Sequence, residues 1–210
     1  VIVPAITMTA CAIGLMQYGA IPIFADVEYG TGSICPVSIA KLITPRTKAI
    51  LVVHLYGYPA NMHEINKIAK QHDLKVIEDC AQSHLATINE KPVGTLSDIG
   101  IYSLNVNKTI QVGEGGICIT NDDELCYRLQ LIRNHGEAVV GPAGYQDITN
   151  IMGFNYRLTD FQSALGISQL SKLNNFVIKK RRNAAKYDIS FSDSDNITLP
   201  QKNNRFYNSY

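Results

Sequence analysis

Two short segments of this 210-residue chain hold residues placed to do chemistry. The first is Glu78-Asp79-Cys80-Ala81-Gln82-Ser83-His84, where an aspartate closes an apolar run and a glutamine follows three residues later. A carboxylate at the end of a buried strand is costly to leave unpartnered, so Asp79 points to a cationic ligand group or to backbone donors. An aspartate that only caps a following helix would show the same spacing. The second segment is Ser103-Leu104-Asn105-Val106-Asn107-Lys108-Thr109, ahead of Gly113-Glu114-Gly115-Gly116. Taken alone, Lys108 reads as a solvated charge. No G-x-G-x-x-G follows a strand and no G-x-x-x-x-G-K-[ST] is present, so neither a dinucleotide site nor a P-loop explains the glycines. The five cysteines (Cys11, Cys35, Cys80, Cys118, Cys126) lack Cys-x-x-Cys spacing. They read as buried thiols in a reducing cytosol rather than a disulfide framework or a zinc site, and no metal centre is expected.

Those segments need strands and helices to hold them. Apolar runs predict strands over 1–3, 22–27, 49–54, 74–78, 99–104 and 116–120. The run Ala49-Ile50-Leu51-Val52-Val53-His54 has the continuous character of a strand covered on both faces. Helices are predicted over 9–18, ended by Gly19, and over 38–43, stopped ahead of Pro45. Apolar Met62, Ile65, Ile68 and Ala69 give helical spacing over 62–72, and acidic residues open a helix over 121–134. Residues 136–153 lack periodicity and read as a loop. A Thr159/Gln162 capping box begins one long helix over 159–187, and the tail 190–210 is polar. Strands alternating with helices imply a largely parallel sheet covered on both faces, with ligands beyond the carboxyl ends of its strands. That rule singles out His54, Asp79, Gln82 and the segment after 99–104.

Composition sets the limits. With 46% hydrophobic residues, 18% charged residues and a net charge of +1, the chain can bury a core and offers no general attraction to nucleic acid. No apolar run reaches the roughly 18–20 residues of a membrane span. The opening Val1-Ile2-Val3-Pro4 falls inside a strand pattern, so the sequence is expected to be a piece of a longer, cytoplasmic protein.

In order and spacing, Asp79-x-x-Gln82, Ser103, Lys108, Gly113-Glu114-Gly115-Gly116 and Gly153-Phe154-Asn155-Tyr156-Arg157 resemble the sugar aminotransferases of the DegT/DnrJ/EryC1/StrS family, which use pyridoxal phosphate. The opening Val1-Ile2-Val3-Pro4-Ala5, Thr44-Pro45-Arg46-Thr47-Lys48-Ala49-Ile50 and Val53-His54-Leu55-Tyr56-Gly57 support the match. The resemblance implies an α/β fold, the large domain of type I (aspartate aminotransferase-like) pyridoxal-phosphate enzymes, with a mostly parallel mixed sheet. Residues 1–175 would form that domain without its N-terminal portion, and 176–210 a linking helix and the start of a small domain. By the same resemblance Lys108 is the Schiff-base lysine and proton shuttle, Asp79 pairs with the pyridine nitrogen, Gln82 faces the phenolic oxygen and Ser103 donates to the phosphate.

Asn155 would reach the phosphate of the neighbouring subunit, which implies a homodimer with shared active sites. Arg157 would orient that loop or meet the donor carboxylate. Both residues also fit a plain helix-entry turn before Thr159. Met8 stands where many relatives carry an aromatic residue over the cofactor ring. His84 and His135 are candidates for contact with a sugar or nucleotide, or for structural hydrogen bonds. The implied reaction moves an amino group from an amino acid, by family habit L-glutamate, to a keto group of a nucleotide-linked deoxysugar. The alternatives are an aminocyclitol or aminobenzoate-pathway ketone, or a catalytically idle regulatory dimer.

Overall fold

The computed structural model describes residues 1–137, 151–200, 203 and 205–210. In chain order its elements are β1 (Ile2–Pro4), α1 (Ala10–Met16), β2 (Ile23–Ala25), α2 (Pro36–Leu42), β3 (Ala49–Val53), α3 (Met62–Gln71), β4 (Lys75–Asp79), β5 (Thr87–Ile88), β6 (Lys91–Pro92), β7 (Ile99–Ser103) and β8 (Gly116–Ile119). The remainder are α4 (Asp123–Arg133), α5 (Asp160–Leu170), α6 (Leu173–Ser190) and β9 (Phe206–Tyr207). The main sheet has the order β2-β1-β3-β4-β7-β8. Its pairings are parallel except β7 with β8, so a mixed, mostly parallel sheet results, as the alternation predicts.

Register places the functional strand ends side by side. Val53 on β3 pairs with Asp79 on β4, and Asp79 pairs with Ile101 on β7, two residues before Ser103. Alternation of side chains then sorts the sheet into two faces. Ile2, Ile50, Val52 and Val76 pack with Ile39, Met62, Ile65 and Ala69 of α2 and α3. Val3, Leu51 and Val53 pack on the other face with Cys11 of α1 and Leu55. Asp79, in register with Val53 and Ile101, belongs to the α1 side. Every residue of β3 is buried, as its unbroken apolar run requires.

Three expectations change. The helix predicted over 38–43 begins at Pro36, whose fixed φ and missing N–H suit a first helical position. The long helix predicted over 159–187 is two helices. The Ser171 hydroxyl donates to the Ser168 carbonyl (2.9 Å) and the Lys172 N–H to the Gln169 carbonyl (3.0 Å), closing a tight turn without glycine or proline. Beyond it, Leu173 and Val177 pack on Leu104, Ile110 and Val112, whereas α5 buries no residue.

The polar tail also carries a strand, because β9 pairs antiparallel with β5 in a second sheet of order β6-β5-β9. The Arg181 guanidinium lies 3.7 Å from the centre of the Tyr207 ring and donates to the Asn208 carbonyl (2.6 Å). The Ser209 N–H donates to the Gly57 carbonyl (3.1 Å). Gly57 has φ +78°, and a Cβ there would run into the backbone of Tyr210, so only glycine lets the tail approach. Most of the predicted loop, residues 138–150, lies outside the described residues. Among the described residues no helix is long and apolar enough to cross a membrane.

This packing predicts that Ile50→Ala, at a fully buried site under α2 and α3, lowers unfolding free energy by about 2–5 kcal/mol in urea denaturation. The exposed Val37→Ala on α2 should stay within about 0.5 kcal/mol of the parent.

Candidate active site

Asp79 is the last residue of β4, and its neighbour Cys80 donates its N–H to the Ile101 carbonyl (2.7 Å), which locks the strand end against β7. Asp79 Oδ1 accepts from the Ala81 N–H (2.9 Å) and Oδ2 from the Cys11 thiol (3.3 Å). No helix starts there, so the helix-cap reading falls and a backbone donor meets part of the carboxylate's demand. Gln82 turns back toward β3, where its Oε1 accepts from the Tyr56 N–H (2.7 Å). Tyr56 holds φ +53°, a left-handed conformation that aims that N–H at Gln82.

Ser103 ends β7, and its Oγ accepts from the Asn105 N–H (3.2 Å). The chain then folds into a turn in which the Lys108 N–H donates to the Asn105 carbonyl (3.0 Å). Lys108 is half-buried, and its ammonium has no ion-pair or hydrogen-bond partner among the described residues. The glycine-rich link fastens this turn, because the Leu104 N–H donates to the Gly115 carbonyl (2.8 Å) and Asn105 Nδ2 to Glu114 Oε1 (2.8 Å). Gln162 of α5 adds a bond from Nε2 to the Glu114 carbonyl (2.7 Å). On the far side Lys180 Nζ donates to Thr109 Oγ1 (2.8 Å), and burial lowers its pKa.

Behind the turn lies His84, buried with its ring centroid 5.5 Å from that of Tyr102. Burial pushes its pKa down to about 4; the Ser103 carbonyl opposes this, and the nearby charges of Lys180 and Lys108 add to it. The ring is therefore neutral at ordinary pH. Met8 is exposed, and its carbonyl accepts from the Cys11 N–H (3.1 Å).

Asn155, Arg157 and His135 lie elsewhere. Asn155 forms an isolated antiparallel bridge with Asn134 at the end of α4. The Phe154 N–H donates to Ile132 (2.7 Å), the His135 N–H to Phe154 (2.9 Å), and Arg157 Nη1 to Asn134 Oδ1 (2.7 Å). A Cβ at Gly153 would collide with the backbone of His135 and Gly136, so this clasp depends on glycine. Among the described residues it makes no hydrogen bond or ion pair with Asp79, Gln82, Ser103 or Lys108.

A buried pair of the strand-end His54 with Glu78, whose pairing nothing in the local sequence shows, supports the candidate site from the opposite face. Glu78 and His54 are fully buried, with His54 Nε2 and Glu78 Oε2 3.0 Å apart. The Ala60 N–H donates to His54 Nδ1 (3.0 Å), so Nδ1 is unprotonated and Nε2–H is the donor to the carboxylate. Glu78 also accepts from the N–H groups of Gly94 and Leu96 and from the Ser97 hydroxyl, each at 2.8 Å. Burial alone would raise the Glu78 pKa, but His54 and the Gly94 and Ser97 donors outweigh it and hold it below 4.5. Cys80 joins this pair within 4.8 Å, but both ring nitrogens and both carboxylate oxygens are already engaged. Burial, and then the Glu78 charge, raise the Cys80 thiol, so it sits protonated beside the hydrogen-bonded pair. The signal in the sequence was a carboxylate inside an otherwise apolar strand.

The model of the DegT/DnrJ/EryC1/StrS aminotransferase family matches residues 1–209. The chain belongs to that family. It is 40% identical over 187 residues to the GDP-perosamine synthase of Escherichia coli O157:H7, a match covering 89% of this chain and 50% of the relative. It is 35% identical over 199 residues to the L-glutamine:2-deoxy-scyllo-inosose aminotransferase of Streptomyces kanamyceticus, covering 92% and 47%. Among solved structures, S. venezuelae DesV in complex with a ketimine intermediate aligns with a TM-score of 0.90 at 30% identity, over 99% of this chain and 55% of that one. The chain thus spans about half the length of the curated relatives it matches. The fold is that of the large domain of these DegT/DnrJ/EryC1/StrS aminotransferases, as the motifs implied.

The stability that ionised Glu78 confers on this family fold is fully present above its unfolded pKa, near 4.5, and is lost as pH falls through the lower folded value. Glu78→Gln is expected to cost on the order of 3 kcal/mol at neutral pH, since it removes one partner of a buried pair. Chemical denaturation should also show a flatter decline for the variant than for the parent below about pH 4.5.

Proposed function

We propose that the protein is a pyridoxal-phosphate-dependent aminotransferase that moves an amino group from L-glutamate to a keto group of a nucleotide-linked deoxysugar. The observation that carries this reading is the placement of Asp79 and of the Ser103–Lys108 turn at the carboxyl ends of adjacent parallel strands. The donor set there suits the cofactor. Asp79 has one N–H and one S–H donor and keeps lone pairs for a protonated ring nitrogen. Ser103 Oγ accepts from Asn105, so its own proton is available to a phosphate oxygen. Gln82 Oε1 is held by Tyr56, which leaves its amide N–H groups for the phenolic oxygen.

When bound, the cofactor supplies a carbonyl that carries the amino group and a ring that takes up the electron pair left by the departing substrate proton. Asp79 would hold a proton at the ring nitrogen. Lys108 Nζ, which has no partner among the described residues, would hold the cofactor through its carbonyl carbon and, as a neutral amine, would move the proton between substrate and cofactor carbons. Exposed Met8 would cover one face of the ring.

We place the partner surface on α5 and on the exposed aromatic side chains around the motif 153–157. Phe161 is 91% exposed and Ile167 73% exposed on α5, with Tyr18 and Tyr156 also exposed nearby in the fold. A second copy of the chain is the occupant we propose, with Asn155 reaching the phosphate of the facing site and Arg157 steadying its loop. Residues 1–175 would then form the cofactor domain, with the chain from 176 leading to a second one. The described cysteines are free thiols, which supports a cytoplasmic setting. A second reading, amination of an aminocyclitol ketone, is favoured by the relatives named as 2-deoxy-scyllo-inosose aminotransferases. A panel of keto substrates separates the two.

Lys108→Ala in the full-length protein should abolish the visible absorption that pyridoxal phosphate gives with the parent; retention of that band would sink the assignment. Glutamate should convert the parent's bound cofactor to its amine form, and no conversion would favour an idle dimer. If the sites are shared, remixing Lys108→Ala with Asn155→Ala dimers should restore about a quarter of parental activity, because half the dimers are mixed and each has one intact site. Absence of any recovery would place Asn155 outside the neighbouring site.

A further inference from the structure

Resting on the assignment of Asp79 to the cofactor's ring nitrogen, we propose that Thr7 and Cys11 form a directed relay that positions the Asp79 carboxylate and sets how strongly it holds the ring proton. Thr7 Oγ1 lies 3.2 Å from Cys11 Sγ, and Sγ lies 3.3 Å from Asp79 Oδ2. A thiol has one proton, and an ionised carboxylate only accepts, so that proton goes to Asp79 and the Thr7 hydroxyl must donate to sulfur. The polarity of the chain Thr7 to Cys11 to Asp79 is therefore fixed.

Burial explains why the thiol stays a thiol. Cys11 is buried among Val3, Leu51, Val53 and Leu55. That burial pushes its pKa up to about 11, with the Thr7 donor lowering it and the Asp79 charge raising it again. Cys11 is thus a protonated donor across the working range. An S–H group is a weak donor next to an O–H group, so it fixes the carboxylate's rotamer while drawing off little of its basicity. The basicity that remains is what a protonated ring nitrogen requires.

The relay also spans Met8. Thr7 and Cys11 flank that residue, and the Cys11 N–H binds its carbonyl. One hydrogen-bonded loop therefore ties together the proposed ring-face cover and the proposed ring-nitrogen partner.

The test compares Cys11→Ser, Cys11→Ala, Thr7→Val and Asp79→Asn in the full-length holoprotein, with far-UV circular dichroism and urea denaturation as controls for folding. The readout is the 15N chemical shift of ring-labelled pyridoxal phosphate, with cofactor affinity measured in parallel. Cys11→Ser supplies a stronger donor and should move the ring 15N shift toward the unprotonated value while keeping affinity within about threefold. Cys11→Ala should leave the ring protonated but weaken affinity roughly tenfold, and Thr7→Val should do so to a smaller degree. Parental 15N shifts and affinities in all three relay variants, with Asp79→Asn losing the protonated signal, would overturn the relay and leave the Asp79 assignment standing. A protonated signal that survives in Asp79→Asn would overturn that assignment itself, and the relay with it.

Discussion

A carboxylate held inside a sheet costs several kcal/mol unless donors surround it, and Glu78 is the point at which this chain satisfies that demand. Its donors come from His54 at the end of β3 and from the segment 94–97 before β7, while His54 in turn receives the Ala60 N–H. Three stretches distant in sequence are therefore held at one buried charge. The loop after β3, which brings the Tyr56 N–H to Gln82, begins one residue past His54. The same network thus fixes the strand ends and the loop on which the candidate site is built.

Adjacent residues on a strand face opposite sides of the sheet, and β4 uses that fact to separate two negative charges. Glu78 points to the α2 and α3 side and is saturated with donors. Asp79 points to the α1 side and is not: Ala81 and Cys11 provide single donors to its two oxygens. A saturated carboxylate has little left to offer a ligand, whereas an under-donated one retains lone pairs. The difference between a saturated and an under-donated carboxylate is thus one residue of register, and a slip of that size would exchange their surroundings.

Much of this was legible before any coordinates. The buried strands were visible as apolar runs because β3 and its neighbours are covered on both faces, and the residues after them were flagged because parallel sheets place ligands there. What escaped was governed by long-range partners. The Ser171 turn carries no glycine or proline, and it bends because Leu173 and Val177 find Leu104, Ile110 and Val112 some 60 residues earlier. The β9 strand is two aromatic residues in a polar tail, and its partner β5 lies over a hundred residues upstream. Cys11 looked like one more apolar helix residue; only the fold brings it 68 positions along the chain to Asp79.

The motif 153–157 shows where sequence and single-chain geometry part company. Its glycine has a local reason, the close approach of Gly153 to the backbone of Gly136, and Arg157 caps the end of α4 through Asn134. Neither reason accounts for Asn155, which is exposed and, among the described residues, is joined by a backbone bridge to Asn134. Nor does local geometry account for α5, which follows the motif directly and turns large apolar side chains outward. Apolar surface on that scale is unfavourable in water unless something covers it. The α5 N-terminus also reaches back to the lysine turn through Gln162 and Glu114. A partner seated on α5 would therefore press on the element that fastens the 103–109 turn, and packing alone would then link that contact to the order of the turn.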